Sequence, residues 1–242
     1  MYEHQTGVFR QFIRIARSLC VFKAIFYFRY MIIRIPVFFI FPLFYFSSIA
    51  QQPDPARLLS RTEMSAKFGD SLQFEGMPVF RAYQYQDKGG VYEVLLCEDN
   101  ATIKENDTAN TKLKAVCLIS DHGGFMEKWK ISDWLVHEPK TEKHIWFWSK
   151  YSSFTDLDGD GYIDPVIVYG SNTEDDEVQR VKIITIHKNK KYPVRAVECV
   201  LDYCRHLSFD PNFKTLPASI RQYIDKLMAK LRKEQDLILH EG

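Results

Sequence analysis

The chain has 242 residues, of which 46% are hydrophobic and 26% are charged, which is enough to bury a sizeable core in about one domain. Residues 1–50 hold six of the 32 basic residues and one of the 31 acidic residues, so the remainder has 26 basic and 30 acidic residues and a net charge of −4. This acidic body excludes a protein that binds nucleic-acid phosphates through a basic face.

The N-terminal 50 residues have the features of a secretory signal peptide. Met31 opens a short charged segment, an apolar run covers residues 35–46, and Ser48 and Ala50 place small residues at −3 and −1 of a cleavage site. We therefore predict a signal peptide that starts at Met31 and is cleaved after Ala50. The mature protein would be periplasmic or secreted, with no stable membrane span after processing.

Two alternatives remain open for this segment. The first is an uncleaved membrane anchor, although the apolar run is shorter than the ~20 residues that a bilayer requires and contains Pro36 and Pro42. The second concerns residues 1–30, which are longer than the start of a typical signal peptide. Translation can begin at Met31, or residues 12–26 can form a basic helix on a membrane surface.

The body of the chain predicts a single β-rich domain over residues 77–242, preceded by a linker with a possible short helix over residues 51–76. Apolar and β-branched runs alternate with Gly-, Asn- and Asp-containing turns, and residues 98–110 are polar enough to form an exposed loop. Short turns between successive strands favour an antiparallel meander. The predicted strands cover residues 79–85, 91–96, 113–119, 126–136, 144–151, 165–169, 178–187 and 192–200.

One helix is predicted near the C-terminus. Pro217 suits its first turn, and an apolar stripe at helical spacing follows. We expect this stripe to pack on one face of the sheet, so the predicted fold class is mainly β (α+β): an antiparallel β-meander with a C-terminal helix packed on the sheet. The stripe consists of Ile220, Tyr223, Ile224, Leu227, Met228 and Leu231.

Residues 156–164 read Asp-Leu-Asp-Gly-Asp-Gly-Tyr-Ile-Asp and predict a Ca²⁺ site. Four acids occupy positions 1, 3, 5 and 9 of a loop of EF-hand type, Gly161 occupies the turn position 6, and position 7 contributes a backbone carbonyl. Crowded carboxylates repel one another unless a cation neutralises them, and a flexible set of oxygen ligands favours Ca²⁺ over Mg²⁺. The predicted ligands are Asp156, Asp158, Asp160, the carbonyl of Tyr162, and Asp164.

The loop departs from an EF-hand in two respects. Position 12 is Ile167 where a bidentate Glu is expected, and the flanking segments have no helical periodicity. Water or an acid from residues 174–177 would then complete the ligand set. The alternative is an Asp- and Gly-rich turn that binds nothing.

Residues 146–151 place aromatic rings on both faces of one predicted strand, through Trp146, Phe147, Trp148 and Tyr151. One face can stack on sugar rings or on a partner. The alternative is that both faces are buried, one under the C-terminal helix and the other under loops.

The mature chain would contain four cysteines, an even number that suits an oxidising compartment. We predict at least one disulfide, and Cys199 with Cys204 is the favoured pair because they are close in the sequence. Histidines are scattered singly, and no catalytic or phosphate-binding motif is present.

The chain also resembles a family of small exported bacterial proteins that carries the label of surface polysaccharide biosynthesis. The resemblance spans residues 77–233 and is carried by residues 146–148, 155–161, 165–169 and 191–195. It implies an envelope location and a β-rich fold with a cation loop. We therefore expect an exported, calcium-stabilised, non-enzymatic binding or structural module, with a glycan or another envelope component as partner. The alternative is an enzyme or accessory factor that acts on surface polysaccharide.

Overall fold

The computed structural model describes residues 54–104, 107–138, 140–175 and 177–240, so the predicted signal peptide and the extension before it lie outside the described residues. The first half of this part contains eight strands and one helix. They are β1 (Asp54–Leu58), α1 (Arg61–Phe68), β2 (Gln73–Phe74), β3 (Met77–Asp87), β4 (Gly90–Glu98), β5 (Ala101–Lys104), β6 (Asp107–Ala109), β7 (Lys112–Asp121) and β8 (Gly124–Trp134).

The second half contains six strands, a short 3₁₀ helix and the long C-terminal helix. Proline at residue 217 lies just before that helix, as its restricted φ angle favours. The elements are β9 (Glu142–Phe147), β10 (Ser153–Thr155), β11 (Asp164–Thr173), β12 (Val178–His187), β13 (Lys190–Val197), β14 (His206–Phe209), the 3₁₀ helix (Phe213–Thr215) and α2 (Ala218–Gln235).

The strands form two larger antiparallel sheets, which confirms the predicted mainly β class with a C-terminal helix. In the first sheet the order is β1-β3-β4-β7-β8, with β2 paired to β3. In the second sheet β11 pairs with β9 and β10 along one side and with β12 on the other, followed by β13 and β14. Each sheet is therefore built from one continuous stretch of chain, residues 54–134 and 142–209.

Side-chain alternation produces three buried layers. Inward-facing residues of both sheets, such as Val94 and Ile167, form the middle layer, so the two sheets pack face to face as a sandwich. Helix α2 covers the outer face of the second sheet with its apolar stripe, as predicted. Helix α1 and residues around Leu59 cover the outer face of the first sheet.

Some elements differ from those expected. The segment predicted as a linker contains β1, which pairs with β3 through Arg57 and Leu58. The loop predicted over residues 98–110 contains the small β5–β6 hairpin. Residues 198–200 lie beyond the end of β13, where they lead into a disulfide-closed turn. For β1 and for the β5–β6 hairpin, pairing with a neighbouring backbone, which carries no apolar pattern, decides the structure.

A group of buried charges joins the two sheets near the end of β8. Arg180 of β12 forms a two-point contact with Glu142 of β9, at 2.7 Å and 2.8 Å, and also contacts Asp133 of β8 at 3.2 Å. Lys182 donates to Asp133 at 2.6 Å. Burial alone would raise the pKa of Asp133, but the two cations outweigh burial and hold this pKa below its usual value.

The predicted disulfide between Cys199 and Cys204 is confirmed, with 5.7 Å between the two Cα atoms. The other two cysteines of the described residues are buried thiols on neighbouring strands. Cys97 faces the α1 side of the first sheet and Cys117 faces the middle layer, so the sheet separates them. Burial raises the pKa of each thiol to about 12, which keeps both protonated.

We expect the disulfide to contribute little to stability. It closes a loop with a sequence separation of only 5, so it restricts few unfolded conformations. The double substitution Cys199→Ser/Cys204→Ser should lower the free energy of unfolding by less than the ~3 kcal/mol of a 15-residue loop. Urea unfolding of both proteins measures this difference, and a larger loss would show that the bridge stabilises the folded state directly.

Candidate metal centre

The predicted cation loop connects β10 to β11 at one end of the sandwich, where it contacts a turn from each sheet. Two backbone amides join it to the β3–β4 turn of the first sheet: the amide of Lys88 donates to the carbonyl of Gly161 at 3.2 Å, and the amide of Ile163 donates to Asp87 Oδ2 at 3.0 Å. In the second sheet, His187 at the end of β12 lies 2.8 Å from Asp164. The loop therefore links the two sheets.

Backbone amides of the loop hold its carboxylates in place. Asp156 accepts from the amides of Gly159 and Gly161 at 2.7 Å and 2.8 Å, Asp158 accepts from Asp160 at 3.2 Å, and Asp160 accepts from Tyr162 at 2.9 Å. Such short-range bonds from Asp to the following amides tighten a turn. They also fix the carboxylates before any ligand binds.

Two glycines permit this path of the chain. Gly159 and Gly161 have φ values of 79° and 88°, in the region that side chains disfavour. At Gly161 the side chain of Lys88 lies so close that a Cβ atom would overlap it. The conformation therefore requires glycine at the predicted turn position, whereas the exposed Lys88 side chain could move aside for a Cβ atom.

The carboxylates converge in two groups that share Asp158. Ligand atoms of Asp156, Asp158 and Asp160 lie within 4.8 Å of one another, and so do those of Asp158, Asp164 and His187. Oxygens on opposite sides of one Ca²⁺ ion are separated by about 4.6–5.2 Å, twice the usual bond length. The first group therefore fits one Ca²⁺ ion with small side-chain movements.

Two lysines approach the same loop. Lys88 Nζ donates to the carbonyl of Asp160 at 2.5 Å, and Lys188 Nζ lies 3.6 Å from Asp160 Oδ2. Both lysine side chains are exposed, so each can swing away into solvent at little cost. They offset part of the negative charge of the loop, and a divalent ion would take over that role.

The last predicted ligand, Asp164, is buried and paired with His187. Burial raises the pKa of Asp164, and the hydrogen bonds from His187 and from the amide of Leu157 offset this only in part. Sequence reasoning missed His187, because a single histidine at the end of a strand carries no motif. Asp164, which contacts His187 in the folded protein, is 23 residues away in the sequence.

The acidic run proposed to complete the ligand set does not reach the loop. Asp164 and Thr173 are the first and last residues of β11, so the turn after Thr173 lies at the opposite end of a ten-residue strand, roughly 30 Å away. Within that turn Glu177 pairs with Lys140 at 3.2 Å. The polar side chains that approach the loop from outside include those of Asp87 and His187 and the two lysines, Lys88 and Lys188.

The aromatic residues predicted to lie on one strand are part of the core, although β9 ends at Phe147 and Trp148 and Tyr151 lie beyond its end. Trp148 and Tyr151 are buried under α2, Trp146 packs against the same layer, and Phe147 belongs to the middle layer. As predicted, the C-terminal helix covers one face of this strand, but the other face is covered by the first sheet, where loops were expected. These rings therefore do not form an open stacking surface.

Comparison with known proteins gives no relative for this chain: no family model, no curated protein and no solved structure matches it. Within the part of the chain that the structure describes, no helix is long and apolar enough to span a membrane. The geometry of the loop and its surroundings is therefore the basis on which a function can be proposed.

Proposed function

We propose that this protein is an exported module of the bacterial envelope whose β-sandwich is stabilised by one Ca²⁺ ion in the loop of residues 156–164, and that it binds a partner without catalysis. The observation that carries the proposal is the convergence of Asp156, Asp158 and Asp160, with ligand atoms within 4.8 Å of one another. The predicted signal peptide and the resemblance to an exported family support the location.

The donor set supports Ca²⁺ over other ions. Asp156, Asp158 and Asp160 offer carboxylate oxygens, the carbonyl of Tyr162 adds another oxygen, and Ca²⁺ accepts such all-oxygen sets with bonds of about 2.3–2.6 Å. Asp164 completes the set when it turns its second oxygen from the amide of Leu157 to the ion. The His187 pairing then orients Asp164, as a hydrogen-bonded neighbour commonly does for a metal ligand.

The position of the loop supports a structural role. The loop contacts Asp87 and Lys88 of the first sheet and His187 of the second sheet, so an ion that rigidifies it also fixes the two sheets at this end. No helix flanks the loop, so the helix opening by which EF-hand sensors switch has no counterpart among the described residues. The ion would therefore stabilise the fold without switching it between two conformations.

Affinity should be in the weak extracellular range. Position 12 is Ile167, which is fully buried in the middle layer, so the bidentate carboxylate of an EF-hand is missing. Sites with fewer charged ligands and extracellular modules have dissociation constants of about 10⁻⁴ to 10⁻³ M. Such a site is filled where free calcium is in the millimolar range.

We expect calcium to stabilise the mature protein against heat. At a free concentration one hundredfold above the dissociation constant, binding to the folded state alone adds ~2.7 kcal/mol to the free energy of unfolding. Calorimetric melting in EDTA and in CaCl₂ measures this gain, and MgCl₂ at the same concentration should give a smaller one, because Mg²⁺ requires stricter geometry.

Substitutions test whether the stabilisation by calcium comes from the loop. Asp158→Asn should abolish the gain because Asp158 belongs to both groups of ligand atoms. Asp175→Asn is the matched control, since this exposed residue lies in the turn at the opposite end of β11. Equal melting temperatures of the unaltered protein in EDTA and in CaCl₂ would show that the loop is only a turn.

The alternative, an enzyme or accessory factor acting on surface polysaccharide, would require the aromatic strand to line an open cleft with two carboxylates. Trp148 is buried, and the ring of Trp146 lies between those of His144 and Trp148, at 5.0 Å and 5.8 Å between centroids. This packing favours the binding or structural module.

A further inference from the structure

We propose that a cavity beside the cation loop binds one neutral sugar residue of pyranose size. The cavity lies at the end of the sandwich and has a volume of about 330 Å³, within the usual range of small-molecule sites. Its wall combines buried aromatic rings with exposed polar side chains. The residues that matter most are Tyr92, Trp129, Tyr162, Asp87, Lys188 and Asn189.

Five different parts of the chain meet at this cavity, so its shape depends on the whole sandwich. Tyr92 of β4 and Trp129 of β8 are buried and form the inner wall from the first sheet. The β12–β13 turn contributes Lys188 and Asn189, which are exposed at the rim. Tyr162 of the cation loop closes one side, with 47% of its surface exposed. The inner wall is therefore rigid and apolar, whereas the rim is polar and accessible.

The chemistry of the wall selects a polyhydroxylated ring. Aromatic rings offer flat apolar area to the C–H face of a pyranose, while a polar rim can pair with its hydroxyl groups. An entirely apolar ligand would cover the ammonium group of Lys188 and the remaining lone pairs of Asp87 without offering them hydrogen bonds, which is costly. The two charges are of opposite sign, so an ionic ligand gains no net attraction from them.

The hydrogen-bonding capacity of the rim remains available. Each oxygen of Asp87 already accepts one backbone amide, from Gly89 at 2.6 Å and from Ile163 at 3.0 Å, and each has a further lone pair to offer. These two bonds fix the carboxylate in position. Lys188 supplies N–H donors from its ammonium group, and Asn189 supplies both a donor and an acceptor.

The cavity and the cation loop share a wall, because Tyr162 and Ile163 belong to the loop. This part of the inference rests on the proposed function. If Ca²⁺ orders the loop, it also orders the Tyr162 side of the cavity, and sugar and ion then each raise the affinity for the other by the same factor.

Tyr162→Ala separates the two sites. The predicted calcium ligand at this position is the backbone carbonyl, which alanine retains, whereas the ring that lines the cavity is removed. The probes are the methyl glycosides of glucose, galactose, mannose and N-acetylglucosamine, and ligand-observed NMR on the mature protein reports binding with constants on the order of 1 mM. Tyr203→Ala is the control, because Tyr203 is 86% exposed and lies outside the cavity.

We expect at least one glycoside to bind the calcium-loaded protein and to bind the Tyr203→Ala variant equally well. Its affinity for the Tyr162→Ala variant should be at least tenfold lower. Calcium should still raise the melting temperature of both variants. If no glycoside binds the unaltered protein, or if Tyr162→Ala binds as well as the control, the cavity proposal is overturned even where the calcium shift persists. Equal binding in EDTA and in CaCl₂ would overturn the coupling. Loss of the calcium shift alone would overturn the proposed function and leave the cavity standing.

Discussion

Replacing Arg180 by alanine is expected to lower the free energy of unfolding by about 3–5 kcal/mol, the usual loss when one partner of a buried ion pair is removed. The Arg180 side chain is only 12% exposed, and its partner Glu142 is fully buried. Without the guanidinium, Glu142 retains hydrogen bonds from Ser171 and from the amide of Val136 but has no neutralising charge. Asp133 retains Lys182 as a cation and the hydrogen bond from the amide of Trp134.

Arg57→Ala is the matched control for this loss. Arg57 contacts Glu63 at 2.6 Å, but its side chain is 52% exposed, and surface ion pairs contribute at most about 1 kcal/mol. Urea unfolding of both variants compares the two arginines directly. Similar small losses would mean that solvent reaches the Arg180 cluster and screens its charges.

Trp148→Ala should cost about 3–5 kcal/mol, as expected when a large buried aromatic ring is removed from a core. The ring lies in the layer under α2 and against Gly170, where a Cβ atom would come within 2.7 Å of Trp148 Cζ2. Because a small residue stands opposite the ring, the neighbours cannot easily fill the space that alanine leaves. Thermal melting and urea unfolding both measure the loss.

Trp134→Ala provides the comparison at an exposed position. Trp134 is 60% exposed, and the contact it makes to Arg180 uses its backbone carbonyl, which alanine keeps. Its removal should change the free energy of unfolding by no more than about 0.5 kcal/mol. If Trp148→Ala changed the free energy of unfolding as little as Trp134→Ala, the Trp148 ring would not be part of the core. That result would favour a ligand-binding role for the aromatic rings.

The apolar strands bounded by short turns were predictable, and the structure confirms them close to their expected positions, as for β4 and β12. The division into two sheets was not predictable from alternation. Its trace in the structure is runs of consecutive buried residues, such as 92–98 of β4 and 164–171 of β11, because a strand covered on both faces has no polar side. The strand β1 contains three polar or proline residues and two apolar ones, so only its pairing with β3 reveals it.

The cation loop was predictable because its acids follow one another at fixed spacing within nine residues. The surroundings of the loop were not, since contacts between distant segments leave no local pattern. Asp87 is 76 residues from its partner Ile163, and His187 ends a strand that reads as ordinary core. For the same reason the cavity beside the loop, assembled from two sheets and two turns, has no signature in the sequence.

Because each sheet is built from one continuous stretch of chain, the order of synthesis sets the order of assembly. All strands of the first sheet emerge before residue 142, and their inner face, with Val94, Leu96 and Ile131, has no cover until the second sheet arrives. Exposed β-rich surfaces of this kind aggregate readily. Proteolysis of ribosome-bound nascent chains of increasing length tests this order: a first sheet that gains protection only after the second sheet has emerged would contradict it. The N-terminal half is thus the part of the nascent protein that most needs a chaperone.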